Sequence, residues 1–206
     1  MTKQARFQKP VIQNILSAAE ELFAEKGFAA TRVDEVAARA AVAKSHLYYH
    51  FSSKDQLLTD LVQWRIGQIL LEKETLLADV GVLTPDIVHT VLQRAILGLL
   101  QRHQAFVRIA LRECLSSSTT ANTLFQAVRV LLDDARGRFT ALGYQIDPQH
   151  FALSFYYFGL LPAAMHSVAG EQWARANGMA LSETHVLFLH TLTQLETTFL
   201  QQYRSS

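Results

Sequence analysis

Residues 27–58 read "GFAATRVDEVAARAAVAKSHLYYHFSSKDQLL", and the fold turns on what the middle of that stretch is for. "KSHLYYHF", 44–51, sets two tyrosines between two histidines, one turn behind a lysine. A helix of that composition is a piece of core, the lip of an active site, or a surface shaped to lie on another molecule. Gly27 stands where a left-handed cap would close the helix before it. Thr31 is placed to cap the next short helix, with Asp34 and Glu35 in its first turn, where the helix dipole favours acids. Val33, Val36 and Ala37 give that helix a buried stripe, "RAAVA" (39–43) breaks it, and 44–50 form another short helix. Two short helices about a turn of three or four residues follow the plan of a helix-turn-helix. Ala37 is small enough for a close crossing, Val42 and Leu47 lock the pair, and Phe51 plugs it from behind. Lys44, Ser45, His46, Tyr48 and Tyr49 are then left on the outer face. Their ammonium, hydroxyl and imidazole groups suit phosphate oxygens and base edges in a major groove. Packing of the two tyrosine rings against neighbouring helices remains the alternative.

Working outward, apolar periodicity makes the chain nearly all helical. Val11, Ile12, Ile15, Leu16, Ala19, Leu22 and Phe23 recur at helical spacing ahead of Gly27. Ser52 or Ser53 caps a long helix to about Val80. Further helices are expected from Pro85 to about Arg102, from about Gln104 to Leu115, and from the polar break at 116–120 to about Leu142. Beyond the turn "GYQIDP" an apolar helix covers about 149–168, kinked at Pro162. "GEQWARANG" reads as a polar connection, and Ser182 as the cap of a last helix to about Tyr203. The chain has 206 residues, half of them apolar, with only four prolines and nine glycines, which suits a large helical core rather than a many-stranded one. The single cysteine, Cys114, excludes an intramolecular disulfide and a Cys-rich metal site. No secretory signal or membrane span is legible, so a cytoplasmic location is expected. Residues 1–54 hold eight Lys/Arg against five Asp/Glu, while 55–206 hold eleven against thirteen. A basic first quarter on a slightly acidic remainder points any polyanion to the first quarter.

The quoted stretch, preceded by "AAEELFAEKGF" (18–28) and containing "K-x-x-L-Y-Y-H-F-x-S-K-x-x-L", resembles the N-terminal helix-turn-helix of the TetR family of bacterial transcriptional regulators. The likeness covers roughly residues 10–58. It implies an all-α fold, with a DNA-binding domain over 1–53 and a helical effector-binding and dimerisation domain over 54–206. By that resemblance Lys44, Ser45 and His46 lie where family members approach bases. Tyr48, Tyr49 and His50 lie where they meet phosphates, and Thr31 and Lys54 clamp phosphates at helix N-termini. Two positions depart from the family pattern. Ala41 replaces the usual turn glycine, at roughly 1 kcal/mol if it is left-handed, and Ala43 replaces the usual Ser or Thr cap. A basic arm of Lys3, Arg6 and Lys9 would add phosphate contacts, or stay a solvated terminus.

Helices 149–168 and 185–200 are apolar on more than one stripe, so each needs a second burial partner, which a four-helix bundle with a second copy would supply. Burial inside the monomer is the alternative; the resemblance to the TetR family implies the homodimer, and with it a palindromic double-stranded operator. A small, largely apolar effector would sit among Trp64, Gln68, Phe106, Cys114, Phe125, Phe158, Met165 and His166, although ordinary core is the simpler reading of each. Of the eight histidines, His185 and His190 are five apart and face different ways, so no metal site is expected, nor any cofactor. No phosphate loop, GxSxG or paired acids support an enzyme. The resemblance makes the chain a regulator, most simply a repressor released by its effector. The rival readings are a helical ligand-binding or scaffolding dimer that has lost DNA binding and, more remotely, a small helical enzyme.

Overall fold

The computed structural model describes residues 3–78, 84, 88–115, 119–201 and 203. Every regular element among them is helical: α1 (Lys3–Phe7), α2 (Pro10–Lys26), α3 (Val33–Arg39), α4 (Lys44–His50), α5 (Lys54–Ala78), α6 (Val88–Arg102), α7 (Gln104–Cys114), α8 (Thr119–Ala141), α9 (Pro148–Phe155), a π-helical turn at Tyr156–Leu160, α10 (Leu161–Ala176) and α11 (Leu181–Gln201). The expected limits at Val80 and Pro85, and most of the break at 116–120, lie outside the described residues. Packing groups the chain into two compact units, Met1–Ile69 with Ala105–Ala127, and Leu70–Gln104 with Val128–Ser206. The chain passes between them inside α5, at the first residue of α7 and inside α8.

In the first unit the apolar repeat of α2 is the core: Ile12, Ile15, Leu16, Ala19, Leu22 and Phe23 are all buried. Leu57, Leu58, Leu61 and Val62 of α5 are buried with them. Arg65 of α5 pairs with the buried Glu20 of α2, and Arg112 of α7 donates to the Ala24 carbonyl at 2.9 Å. Ser53, not Ser52, caps α5, its hydroxyl accepting from the Gln56 amide at 3.0 Å. Thr31 does not cap α3. That place is held by Arg32, whose backbone amide donates to the Glu35 carboxylate at 2.9 Å.

The second unit is built round Leu77, Phe139, Tyr144, Ile146, Phe151, Phe155 and Leu200, with the Phe151 and Phe155 rings stacked 4.1 Å apart. Asp147 caps α9 by accepting from the amides of Gln149 and His150. From Pro148 the helix continues to Ala176, so "GEQWARANG" is mostly helical, not a connection. Pro162 does not break it sharply. Because Pro162 has no amide hydrogen for the carbonyl one turn back, the helix takes a wider turn ahead of it, closed by Leu161 N–H on the Tyr156 carbonyl five residues away. Gly159 in that turn lies under Glu196 of α11, where a Cβ would come within 2.8 Å of the carboxylate oxygen. The last helix begins at Leu181, so Ser182 lies inside its first turn and is not the cap.

The 148–176 helix is long and apolar enough, by length and composition alone, to cross a bilayer, a feature the run lengths in the sequence conceal. One side of it packs on α6 and α11. The other carries Leu153, Tyr157, Phe158, Met165 and Trp173, all exposed.

Three helices end in the same hydrogen-bonded cap. After α3, Val42 N–H reaches the Ala37 carbonyl and Ala41 N–H the Ala38 carbonyl; Tyr144 and Gly143 repeat the pattern after α8, and Met179 and Gly178 after α10. The pivot residue needs a positive φ. It is 88° at Gly143, 66° at Gly178 and 54° at Ala41, so the alanine at this turn is left-handed. Gly27 differs: φ 87° with ψ 158° is a conformation almost confined to glycine, not the left-handed helical one.

Candidate nucleic-acid interface

A seven-residue helix has too few hydrogen bonds to hold its own shape, so α4 is fixed by what it buries. Leu47 is 1% exposed and Phe51 fully buried, against Val36 and Ala37 of α3, which are buried as well. The α3 cap turns the chain, and Ala43 leads into α4 with no side-chain cap. Lys44, Ser45 and His46 are left exposed, as are Tyr48 and Tyr49. Tyr49 is 82% exposed, which settles the alternative for this ring: it does not pack into the core. His46, Tyr49 and His50 form a ladder of rings, His46 to His50 and Tyr49 to His50 each 5.0 Å between centroids. The arrangement offers one cation, several neutral donors and flat aromatic area on one short face.

Three of the expected DNA contacts serve the fold instead. Thr31 is 1% exposed, and its hydroxyl donates to the carbonyls of Gly27 (2.8 Å) and Leu22 (3.3 Å), closing the end of α2. Lys54 Nζ reaches the carbonyls of Phe28, Ala29 and Thr31 and lies 4.4 Å from the Phe28 ring centre, which uses all three of its protons on the 28–31 turn. His50 turns partly inward. Its Nε2 is buried without a hydrogen-bond partner among the described residues. Burial, followed by the nearby His46, Arg6 and Lys9, holds its imidazole below the ordinary pKa, so it is a neutral group. Arg6 is no free arm either, since its guanidinium binds Asp60 and the His50 carbonyl. The side chain of Lys3 lies outside the described residues. These internal uses escape a sequence reading because a Thr or Lys at a helix start looks the same whether it faces carbonyls or phosphate.

Lys44 Nζ lies 2.7 Å from Asp34 of α3, which raises its pKa. Both side chains are solvent-exposed, so the pair is screened and readily exchanged for a phosphate or a base acceptor.

The expected effector lining is divided between the units. Trp64, Gln68, Phe106, Cys114 and Phe125 belong to the first, and Phe158, Met165 and His166 to the second. Trp64 lies under the Arg65 guanidinium and Phe106 is core, while Gln68 accepts from Arg65 at 2.6 Å. Burial, with Glu113 beside it, pushes the Cys114 thiol up, which disfavours the reactive thiolate. Phe125, Phe158 and Met165 are 43%, 62% and 49% exposed and line no interior of their own unit. A helix apolar all round has two candidate faces, and its sequence does not say which is turned inward. His166 stacks on Phe188 at 4.1 Å and shares a hydrogen bond with His185. An open groove of about 330 Å³ lies elsewhere in the second unit, lined by Leu76, Val91, Arg94, Ala95, Gly98 and Arg102. Its α6 residues recur at helical spacing with two small side chains among them, which was the available signal.

Residues 15–61 match the family model described as bacterial regulatory proteins, tetR family. Over this segment the chain is similar to the TetR family. The HTH-type transcriptional activator FasR of Mycolicibacterium smegmatis is 41% identical over 56 residues, 27% of this chain and 26% of that protein. An HTH-type transcriptional repressor of Mycobacterium tuberculosis is 45% identical over 51 residues, 25% of this chain and 27% of its own length. The matches thus span about a quarter of the relatives' length. Over nearly the whole chain only the fold is shared. A TerR/AcrR-family regulator from Aquifex aeolicus superposes with a TM-score of 0.64 at 24% identity, covering 90% of this chain and 99% of that one. A TetR-family regulator from Streptomyces coelicolor does so at 0.64 and 16% identity, covering 97% and 98%.

Proposed function

We propose that this chain is a DNA-binding transcriptional regulator that acts in the cytoplasm as a homodimer on a palindromic operator, and that it is a repressor released by a small-molecule effector. The observation that carries the reading is α4: a helix anchored by Leu47 and Phe51 that presents Lys44, Ser45, His46, Tyr48 and Tyr49 to solvent. Residues 1–53 would meet DNA, and 54–206 would pair with a second copy and take the effector. Two outward apolar stripes support the pairing, one through Leu153, Tyr157, Phe158 and Met165, the other through Val186, Leu187 and Leu195. The groove of α5 and α6 supports an effector that is mostly apolar with an anionic end, because Leu76, Val91, Ala95 and Gly98 are flanked by Arg94 and Arg102. The relatives match only about a quarter of this chain, so their names do not bear on the effector. One named relative is an activator and another a repressor; repression is therefore read out by a reporter, not by resemblance.

The test is a gel shift against the DNA flanking the protein's own gene. A specific complex should form at least about 10³-fold more tightly than with unrelated duplex. Equal affinity for the two sinks the regulator reading and leaves the helical dimer without DNA function. An effector that releases DNA must in turn bind the operator complex more weakly than the free protein, by the same factor.

A further inference from the structure

Both ends of α4 are exposed to the same problem, orphan backbone groups with few intrahelical partners. The N-terminal end has no side-chain cap. The C-terminal end is gripped from outside the motif. Arg6 of α1 donates through Nη2 to the carbonyl of His50, the last residue of α4, at 2.5 Å. Through Nη1 it donates to Oδ2 of Asp60 on α5 at 2.6 Å. Its guanidinium carbon also lies 5.0 Å from the ring centre of Phe51, the residue that plugs the motif. The Asp60 side chain is fully buried and the Arg6 side chain one-quarter exposed. Gln56 holds the other carboxylate oxygen of Asp60 at 2.8 Å.

We propose that Arg6 is the positioning residue that locks the recognition helix to α5, by bridging the His50 carbonyl and Asp60. The proposal rests on the DNA-binding reading of α4. A planar guanidinium can hold two acceptors at a fixed angle, which a lysine ammonium on a flexible stem does not reproduce. A positive group at the negative end of α4 also suits the helix dipole. Asp60 belongs to the helix that runs on into the second unit, so a rotation of α5 is passed to the end of α4 through one salt bridge. Arg6 thereby affects DNA affinity without touching DNA.

The experiment uses the full chain and the duplex that the wild type enriches from a randomised pool, with anisotropy titrations over a salt series. Arg6→Gln, Arg6→Lys and Asp60→Asn are compared with the wild type, along with hydrogen exchange of the amides of Leu47 and Phe51 and of the α2 core. Arg6→Gln and Asp60→Asn should each weaken binding about tenfold or more, the scale of one charge-assisted hydrogen bond. The double variant should be little worse than either single one. The slope of log affinity against log salt should stay unchanged, and exchange should accelerate in α4 while α2 keeps its protection. A phosphate-contacting Arg6 would instead reduce the slope by about one per protomer in Arg6→Gln and leave Asp60→Asn at wild-type affinity. That result overturns the proposal, as does α2 losing protection together with α4, which would make Arg6 a general support. Should Arg6→Gln not fold, Arg6→Lys keeps the charge and decides the matter, wild-type affinity and exchange refuting the bridge. If the wild type enriches no sequence, the DNA-binding reading fails, while the exchange comparison still tests the bridge.

Discussion

Ala41→Gly should stabilise this protein, an uncommon direction for a change to glycine. Ala41 holds φ 54° at the pivot of a cap whose equivalents after α8 and α10 are glycines. A left-handed L-residue costs about 1–2 kcal/mol, and glycine removes that cost while returning about 0.4–1 kcal/mol to the unfolded chain as entropy. The Ala41 residue is exposed, so no buried methyl is lost. A net gain of roughly 0.5–1 kcal/mol follows from those two ranges, equivalent to a rise in Tm of about 2 °C for a chain of this size. Urea denaturation measures it: the midpoint should rise at constant m. Gly178→Ala is the matched control, because φ is 66° there and an added Cβ meets nothing within 4 Å. It should lower the midpoint by a similar amount. A fall in midpoint for Ala41→Gly, or none for Gly178→Ala, would refute the account of the turn.

Tyr49→Phe should weaken operator and unrelated DNA alike by a few-fold, because a phosphate contact positions without specifying. His46→Ala should change preference at one or two base pairs per half-site, and an unaltered base-substitution profile would remove its reading role. Leu195→Glu, on the outer stripe, should give monomers in sedimentation while the fold persists; Leu192→Glu, at 5% exposure, should unfold the chain instead. Glu196 is buried, and burial raises its pKa from 4.5 to about 7, against the opposing hydrogen bond from Gln93. The folded chain then keeps a proton that the unfolded chain gives up near 4.5. Stability from that proton is full below this value and is lost, on the order of 3 kcal/mol, as pH rises to about 7. Glu196→Gln should flatten the decline between pH 5 and 7, and an unchanged decline would show that Glu196 is not its source.

Much of this was legible because the relevant signals are local. The apolar repeat of α2 follows from spacing, a serine cap at 52 or 53 from the polar break before α5, and Ala41 as the turn residue from the family resemblance. Asp34 and Glu35 were placed correctly in the first turn of α3, yet its cap is Arg32, since Thr31 spends its hydroxyl on the end of α2. The misses depend on partners distant in sequence. Lys54 finds its acceptors some 25 residues upstream, Arg6 finds Asp60 54 residues downstream, and Glu196 meets Gln93 across 103. Phe158 and Met165 are exposed against the expectation of an interior, because their helix is apolar on both sides and no property of the helix alone distinguishes the two faces.

These internal commitments change what the basic first quarter can do to DNA. Of its eight Lys and Arg, Arg6, Lys26, Arg39 and Lys44 face carboxylates and Lys54 faces carbonyls. Lys9 and Arg32 carry no ion pair among the described residues, and Lys44 is held only by an exposed Asp34. Among the described side chains, which do not include Lys3, each protomer therefore has about three cations to offer phosphates, while Tyr48, Tyr49 and Ser45 could donate without displacing counterions. For a dimer the expected slope of log affinity against log salt is about −5, against about −14 if all eight cations were engaged on each protomer. Titration of the selected duplex between 50 and 200 mM salt separates the two, using the concentration range over which counterion release is usually followed. A slope near −14 would mean that the ion pairs and the Lys54 carbonyl contacts open on DNA, and the rigid reading of this domain would have to be given up. A slope near −5 would mean that affinity rests on neutral donors and fit, which a recognition helix held by Leu47, Phe51 and Arg6 is built to supply.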